Sequence, residues 1–294
     1  MNKWRKSAGL STLPIVYLVL LVALTLALVY IYKNYSYDGD NLQAQPFDYP
    51  VDSAPAEQCM EKSGLVADHK LLHSGKKIRF NVTTPTNYRG NFPHPLLMVW
   101  APSGLNESLS ERFTGLTGPA TEQGYIVVHV ASVPLGIKAL IELSSIPQQV
   151  MDTWCVATDH VYYTGHSDGG TVSNALAILP ERAISPTVIA PSAMGMQGDD
   201  MDDYECPPPV SVMLMHNKGD SHFPDYGNNV AGWWAQCNQC GEPSPSLSHG
   251  GCVEYAGCSG GVRTMFCQGD GNHAHWPGFE HSLLEFFKAH DNGG

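Results

Sequence analysis

The sequence predicts an α/β fold, a mostly parallel central sheet with helices on both faces, preceded by one N-terminal transmembrane helix. Three observations predict it. From about residue 96 onward, short apolar runs alternate with segments of helical period, the pattern of strands joined by crossover helices. Residues 13–32 form a 20-residue run without a charge. Of the 294 residues, 43% are apolar and 15% charged, which suits a chain that buries a large core.

The run LPIVYLVLLVALTLALVYIY, Leu13 to Tyr32, would span about 30 Å as a helix, the thickness of a bilayer's hydrocarbon core. It ends in bulky Tyr30, Ile31 and Tyr32 and has no small-residue cleavage site, which reads as an uncleaved signal anchor. Lys3, Arg5 and Lys6 precede it and stay cytoplasmic by the positive-inside rule. The expected organisation is a cytoplasmic N-terminus over residues 1–12, an anchor over 13–32, a tether over 33–58 and a catalytic domain over 59–294. The domain is then periplasmic or extracellular, on a single-pass protein of the cytoplasmic membrane. Beyond Lys33 the chain holds 12 basic and 28 acidic residues, a net charge of −16. Such a surface repels phosphate backbones and excludes nucleic acid as a partner.

All eight cysteines, Cys59, Cys155, Cys206, Cys237, Cys240, Cys252, Cys258 and Cys267, follow the anchor, and export makes disulfides their expected state. A zinc site on Cys237 and Cys240 is the lesser reading, because no second CxxC follows. Asn34, Asn81 and Asn106 stand in N-x-S/T glycosylation sequences.

The elements follow in order. Residues 64–72 and 76–83 alternate in polarity around His73-Ser74-Gly75 and predict an antiparallel hairpin. LLMVWA (96–101), YIVVHVA (125–131), HVYYTG (160–165), 183–190, 210–216 and 262–267 predict strands. Helices are expected over 106–123, 137–154, 170–179, 228–237 and 280–290.

HVYYTG runs directly into Gly165-His166-Ser167-Asp168-Gly169-Gly170, with a helix to follow. G-x-S-x-G between a strand and a helix is a nucleophile elbow, in which the glycines leave room for a sharp turn that pushes the serine out at the sheet's carboxyl edge. A serine hydroxyl needs a base, and in the α/β-hydrolase fold acid and histidine follow it in that order. Asp220 comes just after the strand VSVMLMH and is the expected acid, with Asp225 in reserve. His273 and His275 both lie in the loop after the last strand; His273 is the favoured base and His275 the alternative. The oxyanion would be held by the backbone N–H groups of Asp168 and Ser103. His166 and Trp276 would line the pocket, while His222 and His281 read as surface residues. No metal or cofactor is required.

These segments resemble a family of secreted esterases that includes polyhydroxybutyrate depolymerases and feruloyl esterases. The resemblance rests on PLLMVWAPSG, HVYYTGHSDGG, MHNKGD and GNHAHWPG, and covers roughly Lys76 to the C-terminus. It implies Ser167 as nucleophile, Asp220 as acid and His273 or His275 as base. The expected activity is serine carboxylic-ester hydrolysis of short or soluble esters; the alternatives are a peptidase of the same fold and a non-catalytic envelope binding protein.

Overall fold

The computed structural model describes residues 45–50, 55–75, 77–244 and 251–291. The expected cytoplasmic segment and the anchor at 13–32 lie outside these residues, as does Asn34. Among the described residues, no helix is long and apolar enough to cross a membrane.

Among the described residues, nine strands form one sheet: β1 (Lys70–His73), β2 (Arg79–Thr83), β3 (His94–Trp100), β4 (Ile126–Val130), β5 (Val156–His166), β6 (Val188–Ser192), β7 (Ser211–Asn217), β8 (Cys252–Tyr255) and β9 (Thr264–Gly269). Their order is β1-β2-β4-β3-β5-β6-β7-β9-β8. The strands from β4 to β9 in that order run parallel, while β1, β2 and β8 are antiparallel to their neighbours. Alternation along each strand divides the apolar side chains between two cores. Met98, Trp100, Val128, Tyr163, Ile189 and Leu214 face one, Leu97, Val99, Val127, Tyr162, Ala190 and Met213 the other.

The first core is closed by α3 (Ile137–Leu143), α4 (Ile146–Thr153), α5 (Asp168–Ile178) and α7 (Tyr226–Cys237), through Leu140, Val150, Leu176, Val230 and Trp234. The second is closed by α2 (Thr117–Glu122) and α8 (Glu280–Asp291), through Ala120, Leu283 and Phe287. The described residues also form the helices α1 (Glu107–Thr114) and the short α6 (Gly198–Met201).

Several expectations are corrected. The helix read over 106–123 is two, because Gly115 turns left-handed (φ 63°) at the end of α1. The strand read over 183–190 is β6, beginning at Val188, two residues beyond Pro186, which has no N–H to give a central ladder. Strand β8 was not foreseen: four residues carry no readable period, and only pairing with β9 and the Cys252–Cys267 bridge define it. Asn81 is buried in β2 and Asn106 caps α1 by accepting from Leu109 N–H, so Asn81 is no accessible glycosylation site.

The tether is also revised. Residues 45–50, read as part of it, pack on the domain. Phe47 N–H donates to the Asn87 side chain (3.0 Å), and the Tyr49 hydroxyl donates to the Asn87 carbonyl (3.0 Å). Phe47 and Tyr49 contact Phe92 and the buried His94 ring edge-on or tilted. Gly124 (φ 91°) makes room for this: a Cβ there would stand 2.8 Å from the Phe47 ring.

All eight cysteines are paired, Cys59–Cys155, Cys206–Cys237, Cys240–Cys258 and Cys252–Cys267. Cys237 and Cys240 go to different partners, which removes the zinc reading.

Candidate active site

β5 ends at His166 and α5 begins at Asp168, so Ser167 alone makes the turn, with φ 56° and ψ −119°. A non-glycine residue there is strained, and neighbours enforce the geometry. Ser167 N–H donates to the Ser192 carbonyl (2.9 Å), and Thr171 N–H donates to the Ser167 carbonyl (2.9 Å). The flanking glycines are required by space: a Cβ on Gly165 would stand 2.5 Å from the Trp100 carbonyl oxygen, and one on Gly169 would overlap the same carbonyl.

The ends of β7 and β9 bring up two partners. Asp220 lies three residues beyond β7, and its side chain is fully buried. Its Oδ1 accepts from the N–H groups of His222 (2.9 Å) and Phe223 (3.0 Å), and its Oδ2 accepts from His273 Nδ1 (2.8 Å). Burial opposes ionisation of Asp220, yet the bonds from Phe223, His273 and His222 outweigh it and hold the carboxyl below the usual carboxylate range. His273, four residues beyond β9, turns its Nε2 to within 3.0 Å of Ser167 Oγ. With Nδ1–H donating to the carboxylate, Nε2 carries the lone pair and faces the serine hydroxyl.

His275 stands elsewhere. It is exposed, and its Nδ1 bonds to the Asn272 side chain (2.7 Å) rather than to Ser167. Asp225 is the exposed residue preceding α7, in a left-handed conformation (φ 63°). His222 is exposed as expected, but its ring centroid lies 4.9 Å from that of His273, beside the site. Trp276 and His166 flank the site together with Phe113: Phe113 lies 5.1 Å from His166 and 6.4 Å from Trp276 between ring centroids. Trp276 Nε1 has no hydrogen-bond partner among the described residues. Phe113 was not singled out by sequence, since a single aromatic residue in an amphipathic helix carries no signal of what it faces. His216 was also missed; it lies buried behind the acid with Nε2 3.6 Å from Asp220 Oδ2, and burial lowers its pKa.

Asp168 is the first residue of α5, where backbone N–H groups lack helical partners. The Trp100–Ala101 backbone packs against the elbow. Ala101 N–H is committed to the Val130 carbonyl (3.1 Å), and Ser103 follows, exposed, in the turn that Leu105 N–H closes on the Pro102 carbonyl (3.1 Å).

No family model matches the chain. It is 26% identical over 228 residues to feruloyl esterase D of Neurospora crassa, covering 68% of this chain and 75% of that protein. Over about two thirds of its length the sequence is thus similar to that of a feruloyl esterase. Its fold is that of the α/β-hydrolases, shared with an acetyl xylan esterase from Aspergillus awamori (TM-score 0.56, 15% identity, 76% of this chain and 97% of that one). It is shared also with an S-formylglutathione hydrolase from Staphylococcus aureus (TM-score 0.53, 13% identity, 76% and 97%). A thermostable esterase superposes with a TM-score of 0.55 at 14% identity over 76% of this chain, which spans 62% of that structure.

Proposed function

We propose that this carboxylic ester hydrolase acts through a Ser167–His273–Asp220 triad. The observation that carries the reading is the unbroken hydrogen-bond chain from Asp220 Oδ2 through both nitrogens of His273 to Ser167 Oγ, at 2.8 and 3.0 Å. His273 Nε2 takes the hydroxyl proton as Ser167 attacks the ester carbonyl, and Asp220 stabilises the imidazolium that results. The N–H groups of Asp168 and Ser103 receive the oxyanion. The imidazolium protonates the departing alcohol, and water, deprotonated by the same ring, releases the acid from the acyl-serine.

The substrates in this reading are short or soluble esters, feruloyl esters first among them. Two things support the aromatic acyl group: the likeness to feruloyl esterase D, and the Phe113 and Trp276 rings flanking the site. The domain works outside the cytoplasmic membrane, held by the apolar segment at 13–32. The length and lack of charge of that segment support this, as does the pairing of all eight cysteines, a state suited to an oxidising compartment.

An ester panel varying acyl length and including feruloyl, acetyl-sugar and hydroxybutyrate esters tests the specificity. Feruloyl esters should give the highest kcat/KM, and replacing Phe113 or Trp276 by alanine should lower it for feruloyl more than for acetyl esters. Equal losses on both would remove the aromatic pocket from the account.

A further inference from the structure

The loop that carries His273 hangs on two buried side chains at the ends of neighbouring strands. His166, the last residue of β5, is 2% exposed. Its Nε2 lies 2.7 Å from the His273 carbonyl oxygen and its Nδ1 3.0 Å from Ser192 Oγ. A carbonyl can only accept, so Nε2 carries the proton and Nδ1 accepts from the Ser192 hydroxyl. Asn217, the last residue of β7, is 1% exposed; its Nδ2 donates to the carbonyls of Asn272 (2.9 Å) and His275 (2.8 Å). Two carbonyl partners fix which side of that amide is nitrogen. Three of the four carbonyls from Asn272 to His275 are thus held by two side chains.

The glycines of the loop make room for this arrangement. A Cβ on Gly271 would stand 3.0 Å from Asn217 Nδ2, and one on Gly269 would overlap Asn217 Oδ1. Gly219 N–H in turn donates to the Gly271 carbonyl (3.0 Å), which ties the loop of the acid to the loop of the base.

We propose that His166 and Asn217 are positioning residues for ester hydrolysis, a two-point clamp that holds the His273 main chain so that its ring bridges Asp220 and Ser167. The proposal rests on the triad described above. Neither side chain reaches the reacting atoms; both act through the backbone of the loop. His273 sits outside regular structure, so nothing in a helix or strand fixes its Cα, and displacement of the ring by about 1 Å is enough to cost about 10²-fold in rate.

The clamp does not titrate where the base works. The ionisable groups facing His166 are His273, Asp220 and His216, and the Phe113 and Trp276 rings pack beside it. Burial lowers the His166 pKa to about 4 despite the His273 carbonyl, so its Nε2–H donor persists through neutral pH.

The test uses the full chain as wild type, His166→Leu, His166→Gln and Asn217→Leu, with p-nitrophenyl acetate as substrate and kcat normalised to the folded fraction by near-UV circular dichroism. Both leucine variants should lose about 10–100-fold in kcat with KM within about twofold. His166→Gln, whose amide nitrogen can reach the same carbonyl, should recover most of that loss. Nitrogen-15 spectra of the wild type should show His166 protonated at Nε2 from about pH 5 to 8. Leucine variants whose folded fraction keeps kcat within about twofold of wild type overturn the clamp, whatever their Tm, and so does a glutamine variant no better than leucine. The two readings fail differently: a Ser167 that a fluorophosphonate never labels refutes the triad, whereas a labelled Ser167 beside fully active leucine variants refutes only the clamp.

Discussion

Replacing Asp220 by asparagine changes the proton on His273 more than the shape of the site. The buried carboxylate accepts from His222 and Phe223 through Oδ1 and from His273 through Oδ2. An asparagine keeps its oxygen on the two backbone N–H groups, since only an acceptor satisfies them, and this puts its NH₂ where Oδ2 was. A donor there forces His273 Nδ1 to accept, moving the imidazole proton to Nε2, the atom 3.0 Å from Ser167 Oγ. The ring then has no lone pair for the serine proton. Wrong-tautomer substitutions of this kind cost about 10⁴-fold in kcat, about 5 kcal/mol in the barrier, with substrate binding intact. Steady-state hydrolysis of p-nitrophenyl acetate should therefore show Asp220→Asn with kcat down by about 10³–10⁴-fold and KM within about threefold, and Asp225→Asn unchanged. An Asp220→Asn variant that keeps more than about a tenth of wild-type kcat refutes the reasoning. The same carboxyl, ionised below its unfolded pKa in the native state, contributes stability that is present above the ordinary carboxylate range and lost as pH falls through the depressed value. Acid unfolding of Asp220→Asn should therefore begin from a less stable state but show a shallower pH dependence.

Two further predictions concern the scaffold. His69 bonds to Glu111 (2.9 Å) and Asp68; burial works against its charge, but these carboxylates outweigh it and raise its pKa. The contribution is present below about pH 6.5 and lost as pH rises through the raised value, and because the ring is 53% exposed it is at most about 1 kcal/mol. The Tm difference between wild type and His69→Gln should be largest near pH 5.5 and vanish toward pH 9; a difference that grows with pH contradicts the pairing. Phe47→Ala should lower Tm by about 2–8 °C, from about 1–2 kcal/mol of lost apolar contact on Phe92, His94 and Gly124, with kcat unchanged; an unchanged Tm would return residues 45–50 to a free tether.

What the sequence made legible was local. The parallel strands are continuous apolar runs because both faces are covered, and the elbow announces itself because its glycines, its serine and the flanking strand and helix are adjacent in the chain. The order of acid and histidine gave Asp220 and a choice between His273 and His275. The sequence leaves that choice open, because the contacts of Asn217 and His166 with the carbonyls of this loop link residues 55 to 107 positions apart. β8 was hidden because its four residues carry no period of their own and only pairing with β9 defines it. Phe47 and Tyr49 read as linker because their partners, Asn87, Phe92 and His94, lie some 40 residues away in the chain.

The central claim is that Ser167 is a nucleophile made reactive by His273. Its most direct test is active-site labelling with a fluorophosphonate followed by peptide mapping, on wild type, Ser167→Ala, His273→Ala and His275→Ala. The account predicts one adduct per chain, on Ser167, absent from Ser167→Ala, slowed by at least about 10³-fold in His273→Ala and unaffected in His275→Ala. Label on another residue, or a Ser167 that never reacts while the protein still hydrolyses esters, would contradict it.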